Sequence, residues 1–272
     1  MELGRVLVIM ALATAMMWAV GGAVGFAAVA QEPGPEQAGS QEPESASSQL
    51  AVASKIHESS KGRKGPRRLQ ILHEAVEAYE NVKLLWPAAH AERAVAAFRR
   101  GEIHRALEEV GSARGAFEEV LEVTKSNPDL HARALLELGH MDRREERWRD
   151  CVRRYQQVVV YSGASLRFQN DAREWIVKVH LTTMAWTSAV IEAERWLEFC
   201  EGPVEQIQAL DLQLRAWIGA RELRLAREQL LALQEEMAVL ADAPTAEGRR
   251  ITKALEQMKA PKALQLARQN GR

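Results

Sequence analysis

One pattern recurs along this chain at a fixed step and restricts its fold more than any other feature. Ala75, Tyr79 and Val82 return 38 positions later as Ala113, Phe117 and Val120, and again as Cys151, Tyr155 and Val158. A further step reaches Ala189, Ala193 and Trp196, still small and then apolar at the same spacing. Spacings of four and three put these side chains on one helical face. There the small residue lets a neighbouring helix come close, and the aromatic fills the space beyond it. Breakers repeat as well: Pro87 and Gly163 follow Tyr79 and Tyr155 by eight residues, and Asn127-Pro128 closes the second unit a little later. Gly101 and Gly139 stand sixteen residues before Phe117 and Tyr155, inside apolar-periodic segments. The expected fold class is all-α, with helix-turn-helix units of period about 38 stacked as an α-solenoid, because one such unit cannot bury its apolar face alone. A composition rich in Ala, Leu, Glu and Arg, with 6% aromatic residues, agrees with helices rather than sheets.

The periodicity places helix pairs near residues 50–86, 91–126, 130–161, 168–200 and 204–241, the first split by the loop "SSKGRKGP". A last helix near 245–259, ending before Pro261, is expected to cap the open end, followed by a basic tail, so that 242–272 forms a terminal unit. Leu223, Ala226, Leu230, Leu233, Met237 and Leu240 alternate spacings of three and four, a short seam for the cap helix or for another chain. Trp148 and Trp186, again 38 apart, open second helices and read as packing anchors. Cys151 and Cys200 have no CxxC spacing; parallel stacking separates them by about 16 Å along the helix axis. That exceeds disulfide reach, so two free thiols are expected, Cys151 buried.

Ahead of the repeats, residues 1–30 carry Arg5, an uncharged run from Val6 to Ala30, and the small-x-small site Ala28-Val29-Ala30. This is the pattern of a secretory signal peptide, and the run is also long enough to serve as an uncleaved membrane anchor. On either reading the chain is exported, to the periplasm or another extracytoplasmic part of an envelope. Residues 31–49, rich in Pro, Gly, Ser and Glu with no large apolar side chain before Leu50, are expected to be a disordered linker, leaving 50–241 as the repeat domain.

The repeat resembles the tetratricopeptide repeat, whose pattern runs W-x2-L-G-x2-Y, then A-x3-F, then P. Leu138-Gly139 matches the L-G step, Ala75 with Tyr79 and Ala113 with Phe117 match A-x3-F, and Pro87 matches the closing proline. The period departs from the family's, which is about 34. Ala97 and Leu135 stand where Trp is usual, and His104 and Asp142 where Tyr is usual. By architecture and export the chain is also similar to repeat proteins of bacterial outer-membrane assembly and the Tol-Pal system. The resemblance implies a scaffold or adaptor that performs no catalysis and holds a protein or peptide on a concave face of first helices. The matching positions are Phe98, Glu102 and Arg105; Arg133, Leu136, His140, Arg143 and Arg144; and Glu174, Lys178 and Leu181. The middle of that set is basic and suits an acidic segment or a terminal carboxylate. The family's Lys/Asn clamp for chaperone tails is excluded, because Phe98 and Glu102 occupy its positions.

Chemistry-bearing motifs are otherwise absent. "HEAVE" at His73 has Glu77 where a zinc-binding HExxH needs its second histidine. "GSARG" at Gly111, placed at an inter-helix turn, lacks the Lys-Ser/Thr of a phosphate loop. No cofactor and no metal are expected. A net charge of -1 gives no general attraction to nucleic acid. The densest cluster, Lys61, Arg63, Lys64, Arg67 and Arg68, has no aromatic for base stacking. It reads either as a solvated loop or as a patch for anionic lipid or envelope polymer, which would make the chain a membrane-associated structural protein. The number of copies in an assembly does not follow from these residues.

Overall fold

A computed structural model describes residues 43–124 and 127–270. The signal or anchor segment and the linker through residue 42 lie outside the described residues. Among the described residues twelve helices follow in order and no strand occurs. They are α1 (Ala46–Ser59), α2 (Gly65–Leu85), α3 (His90–Ala106), α4 (Val110–Val123), α5 (Pro128–Arg144) and α6 (Trp148–Val160). They continue as α7 (Leu166–Thr182), α8 (Trp186–Leu197), α9 (Pro203–Gly219), α10 (Leu223–Ala241), α11 (Ala246–Gln257) and α12 (Ala260–Asn270). From α1 to α10 each helix packs on the next, so the expected α-solenoid of helix pairs is the observed fold. The first helices α1, α3, α5, α7 and α9 also touch one another in series, whereas α2, α4, α6 and α8 do not. Contact on one side and divergence on the other bends the stack toward the first helices, making theirs the inner face.

The recurring small and aromatic residues form the core. Ala75, Tyr79 and Val82, Ala113, Phe117 and Val120, and Cys151, Tyr155 and Val158 are all buried. The paired glycines show why the register has no gap. A Cβ at Gly101 would lie 2.6 Å from the Phe117 ring, and one at Gly139 would lie 2.5 Å from the Tyr155 ring. In the next pair this arrangement is exchanged: Val177 and Ala193 occupy the equivalent places, buried in one cluster with Trp196. Trp148 packs beside Cys151 and Tyr155, and Trp186 lies where a Cβ at Gly219 would meet its ring at 2.6 Å.

The turns inside four pairs are copies of one another. Glu108, Glu146, Met184 and Arg221 have φ of 62°, 57°, 58° and 65°. The following amides, Glu109, Arg147, Ala185 and Glu222, donate to the carbonyls of His104, Asp142, His180 and Trp217 at 2.8–2.9 Å. This is the six-to-one closure that usually places glycine at the left-handed position. With no glycine there, the residue order gives no sign of these turns.

Three expectations need correction. The helical part begins at Ala46 rather than Leu50, because Ser45 and Ser48 cap each other's backbone and Gln49 Nε2 donates to the Ala78 carbonyl at 2.7 Å. Residues 46–49 therefore belong to α1. "GSARG" lies within α4, not in a turn. The expected helix does end before Pro261, as α11, but no tail follows: Pro261 occupies the first turn of α12, where its missing N–H costs nothing. The terminal unit is thus two helices and not one helix with a tail. They lie end to end against the last pair. α11 packs Ile251 on Ile207, Leu233 and Met237, and α12 packs Ala260 and Leu264 on Leu214, Ala226 and Leu230. At the break Asp211 Oδ1 accepts from the amides of Lys259 and Ala260, both at 2.8 Å. The seam of α10 is therefore covered by the cap at Ala226, Leu230, Leu233 and Met237, while Leu240 remains exposed. Both cysteines are free, Cys151 buried. Burial pushes their thiols up, to about 11 for Cys151 and about 12 for Cys200.

Candidate functional site

The inner face is built from first helices of 17 residues each in α3, α5, α7 and α9. Two of the eleven candidate positions are removed from it by burial. Phe98 is 2% exposed and packs edge-on against Phe117, with the Arg133 guanidinium closing over its ring at 4.3 Å. Leu136 is 7% exposed and belongs to the core around Tyr155. Both are spent on holding neighbouring helices together. Leu181 is half-buried against the Ala189 and Trp196 cluster.

Several charges on this face satisfy one another. Glu102 holds Arg99 at 2.6 Å and Arg133 at 3.7 Å, Arg105 lies 3.2 Å from Glu137, and Lys178 lies 2.6 Å from Glu174. The positions where the family has tyrosine are polar here and have found partners. His104 pairs with Glu109 at 2.6 Å, and buried Asp142 is engaged by Arg114, Arg147 and Arg154. Asp142 therefore staples α4, α5 and α6 rather than facing a ligand.

Arg143 and His140 converge on Trp175, where they meet the Glu174-paired Lys178. The Trp175 ring carries Arg143 at 4.7 Å and Lys178 at 4.4 Å by cation–π contact. His140 meets the ring edge-on at 4.9 Å and shares a 2.7 Å hydrogen bond between Nδ1 and the Tyr155 hydroxyl. Burial first, and then Arg143, Arg144, Arg105 and Lys178, lowers the His140 imidazole to about 4, so it is neutral near pH 7. Arg143 and exposed Arg144 have no carboxylate partner among the described residues. The centre of the inner face is thus positive and is ordered by one aromatic ring. The sequence reading misses Trp175 and Glu137, although both occupy equivalent positions 38 residues apart with Arg99. The register is the signal that could have found them.

Lys61, Arg63 and Lys64 lie between α1 and α2, and Gly62 and Gly65 have φ of 74° and 61°. Arg67 and Arg68 stand in the first turn of α2, which has no acidic residue. Only Lys61 has a carboxylate near, Glu58 at 3.5 Å. His73 and Glu77 of "HEAVE" are exposed on α2. Among the described residues no three His, Cys, Asp or Glu side chains gather to hold a metal, and no helix is long and apolar enough to cross a membrane.

These helix pairs, their left-handed turns and their inner face define a tetratricopeptide-repeat-like α-solenoid. The particular likenesses agree. The crystal structure of MamA protein superposes with a TM-score of 0.53 at 14% identity, covering 74% of this chain and 98% of that one. Nearly identical TPR-like repeats, described as from a Podosopora anserina kinesin light chain, give 0.53 at 15% identity over 75% and 100% of the two chains. A Q17M variant of those repeats gives 0.50 at 15% identity over 71% and 95%. No protein-family profile and no curated protein sequence matches the chain.

Proposed function

We propose that this chain is a non-catalytic scaffold that holds an acidic segment of a partner protein against the inner face around Trp175. The observation that carries this reading is Arg143, held over Trp175 with no carboxylate partner, beside exposed Arg144. A solvated helix surface gains little from ordering a guanidinium on an aromatic ring; a binding surface gains a cation already oriented toward an incoming carboxylate. The partner meets the chain outside the cytoplasm, a reading supported by the signal-like pattern of residues 1–30. In-cell crosslinking of the C-terminally tagged protein is expected to capture one dominant partner, which Arg143→Glu/Arg144→Glu loses. A captured set unchanged by that variant rejects the inner face as the binding site. Intact mass of the mature protein tests export, with loss of residues 1–30 expected.

One feature favours a second role at the other end of the stack. The Lys61 to Arg68 cluster is solvent-facing and largely without carboxylate partners at the positive end of α2, which suits an anionic membrane or polymer surface. Co-sedimentation of the protein with anionic vesicles, lost on replacing these five residues by Ser, is the expected result.

A further inference from the structure

The cap does more than close the stack. α7, α9 and α11 border an open cavity of about 410 Å³ at the end of the inner face. Its walls include Lys178, Arg215, Arg250, Lys253 and Lys259 against only Glu174 and Asp211. Both carboxylates are engaged: Glu174 by Lys178, and Asp211 by the amides of Lys259 and Ala260 with Arg215 at 3.9 Å. Arg250, Lys253 and Lys259 have no carboxylate partner among the described residues. α11 docks through Ile251, Ala254 and Leu255, and a helix that served only to shield the stack would need no charge of one sign along the edge of that contact. Lys178 also stands over Trp175, so this one side chain, held by Glu174 at 2.6 Å, belongs to both places and joins them.

We propose that α11 completes the binding face, and that the cavity takes acidic side chains from the same segment that docks at Trp175. The partner is then an extended acidic stretch long enough to reach both stations, not a single terminal carboxylate. The cavity lies within the size range of ligand pockets, and Arg250 and Arg215 offer paired N–H donors to carboxylates. This inference rests on the proposed function above.

Fluorescein-labelled dodecaglutamate, titrated onto the full chain by anisotropy at about 0.15 M salt, tests it. Arg250 and Lys253 are exposed, and Arg250→Ser/Lys253→Ser is expected to weaken binding about tenfold, as Arg143→Ser/Arg144→Ser does, two rim charges being lost in each. Arg67→Ser/Arg68→Ser, at the distant start of α2, is expected to leave affinity within about twofold. Lys253→Gln alone, with unchanged thermal melting, guards against a disturbed cap. If only the Arg143/Arg144 variant weakens binding, the cavity has no part in it and this inference is overturned while the Trp175 reading stands. If neither pair matters, or the Arg67/Arg68 pair matters as much, both fall. If inorganic pyrophosphate binds as tightly as dodecaglutamate and is lost with Arg250/Lys253, the cavity is a small-anion site and the acidic-segment assignment is wrong.

Discussion

The pairs α3/α4 and α7/α8 solve the same packing problem in opposite ways. In the first, Gly101 gives up its side chain so that the Phe117 ring can lie on the backbone of α3. In the second, Val177 supplies volume from the first helix, and Ala193 on the second helix stands back. Each pair fills one contact with one large and one small side chain. The stack therefore requires a total volume at this position and does not require a particular residue on either helix. Interiors packed to crystal-like density tolerate such exchanges and resist any change in the sum.

The largest effect should come from breaking that sum. Gly101→Ala sets a methyl 2.6 Å from the Phe117 ring and is expected to destabilise the protein by about 3 kcal/mol, the clash outweighing the better helix propensity of alanine. Gly101→Val/Phe117→Ala copies the α7/α8 arrangement, and thermal or urea unfolding should show it losing less than the two single changes add up to. Strict additivity would show that the two pairs are not equivalent.

Next in size is the pin that only the C-terminal region has. Asp211→Ala removes both acceptor bonds at the α11/α12 break and is expected to cost about 2 kcal/mol. Hydrogen exchange should rise first in residues 258–270, since the repeats themselves keep their contacts.

A smaller change of opposite sign sharpens the contrast within α3/α4. Gly115 of α4 has open space around its Cβ position, unlike Gly101 of α3. Gly115→Ala should stabilise by about 0.5–1 kcal/mol. Glu146→Gly, relieving a left-handed residue in the repeated turn, should add a similar or smaller gain by the same unfolding measurement.

A separate single-residue effect shows only as pH changes, at His140. Its folded value of about 4 lies below the ordinary 6.5, so the unfolded chain binds the proton first as pH falls. The stability this neutral imidazole contributes is present above pH 6.5 and is lost as pH drops toward 4. His57, His131 and His180 are lowered by burial as well and steepen the same loss. His140→Gln should flatten part of the slope between those pH values, and an unchanged slope would place the imidazole's charge elsewhere.

Much of this fold is legible in the order of residues alone. The 38-residue step sets out the helix pairs, and Gly101 and Gly139, sixteen residues before Phe117 and Tyr155, mark close approaches that the packing bears out. The candidate site is legible only in part. Arg143, Arg144, His140 and Lys178 follow from the register and do gather, whereas Phe98 and Leu136 turn inward and Trp175 escapes notice. Register states which face of a helix a residue occupies, but not how far the next helix overlaps that face.

The sequence by itself determined a helical repeat, because small and apolar side chains at spacings of three and four encode a buried face locally, wherever the chain lies. Tertiary structure alone decided the rest. It exchanged size between Val177 and Ala193, held Glu108, Glu146, Met184 and Arg221 in left-handed turns, and broke the cap where Asp211 reaches amides 48 and 49 residues away. It also left some cations neutralised and others free. Those outcomes depend on distances between residues far apart in the chain, and a Coulomb or packing energy is set by such distances, not by the order in which residues are joined.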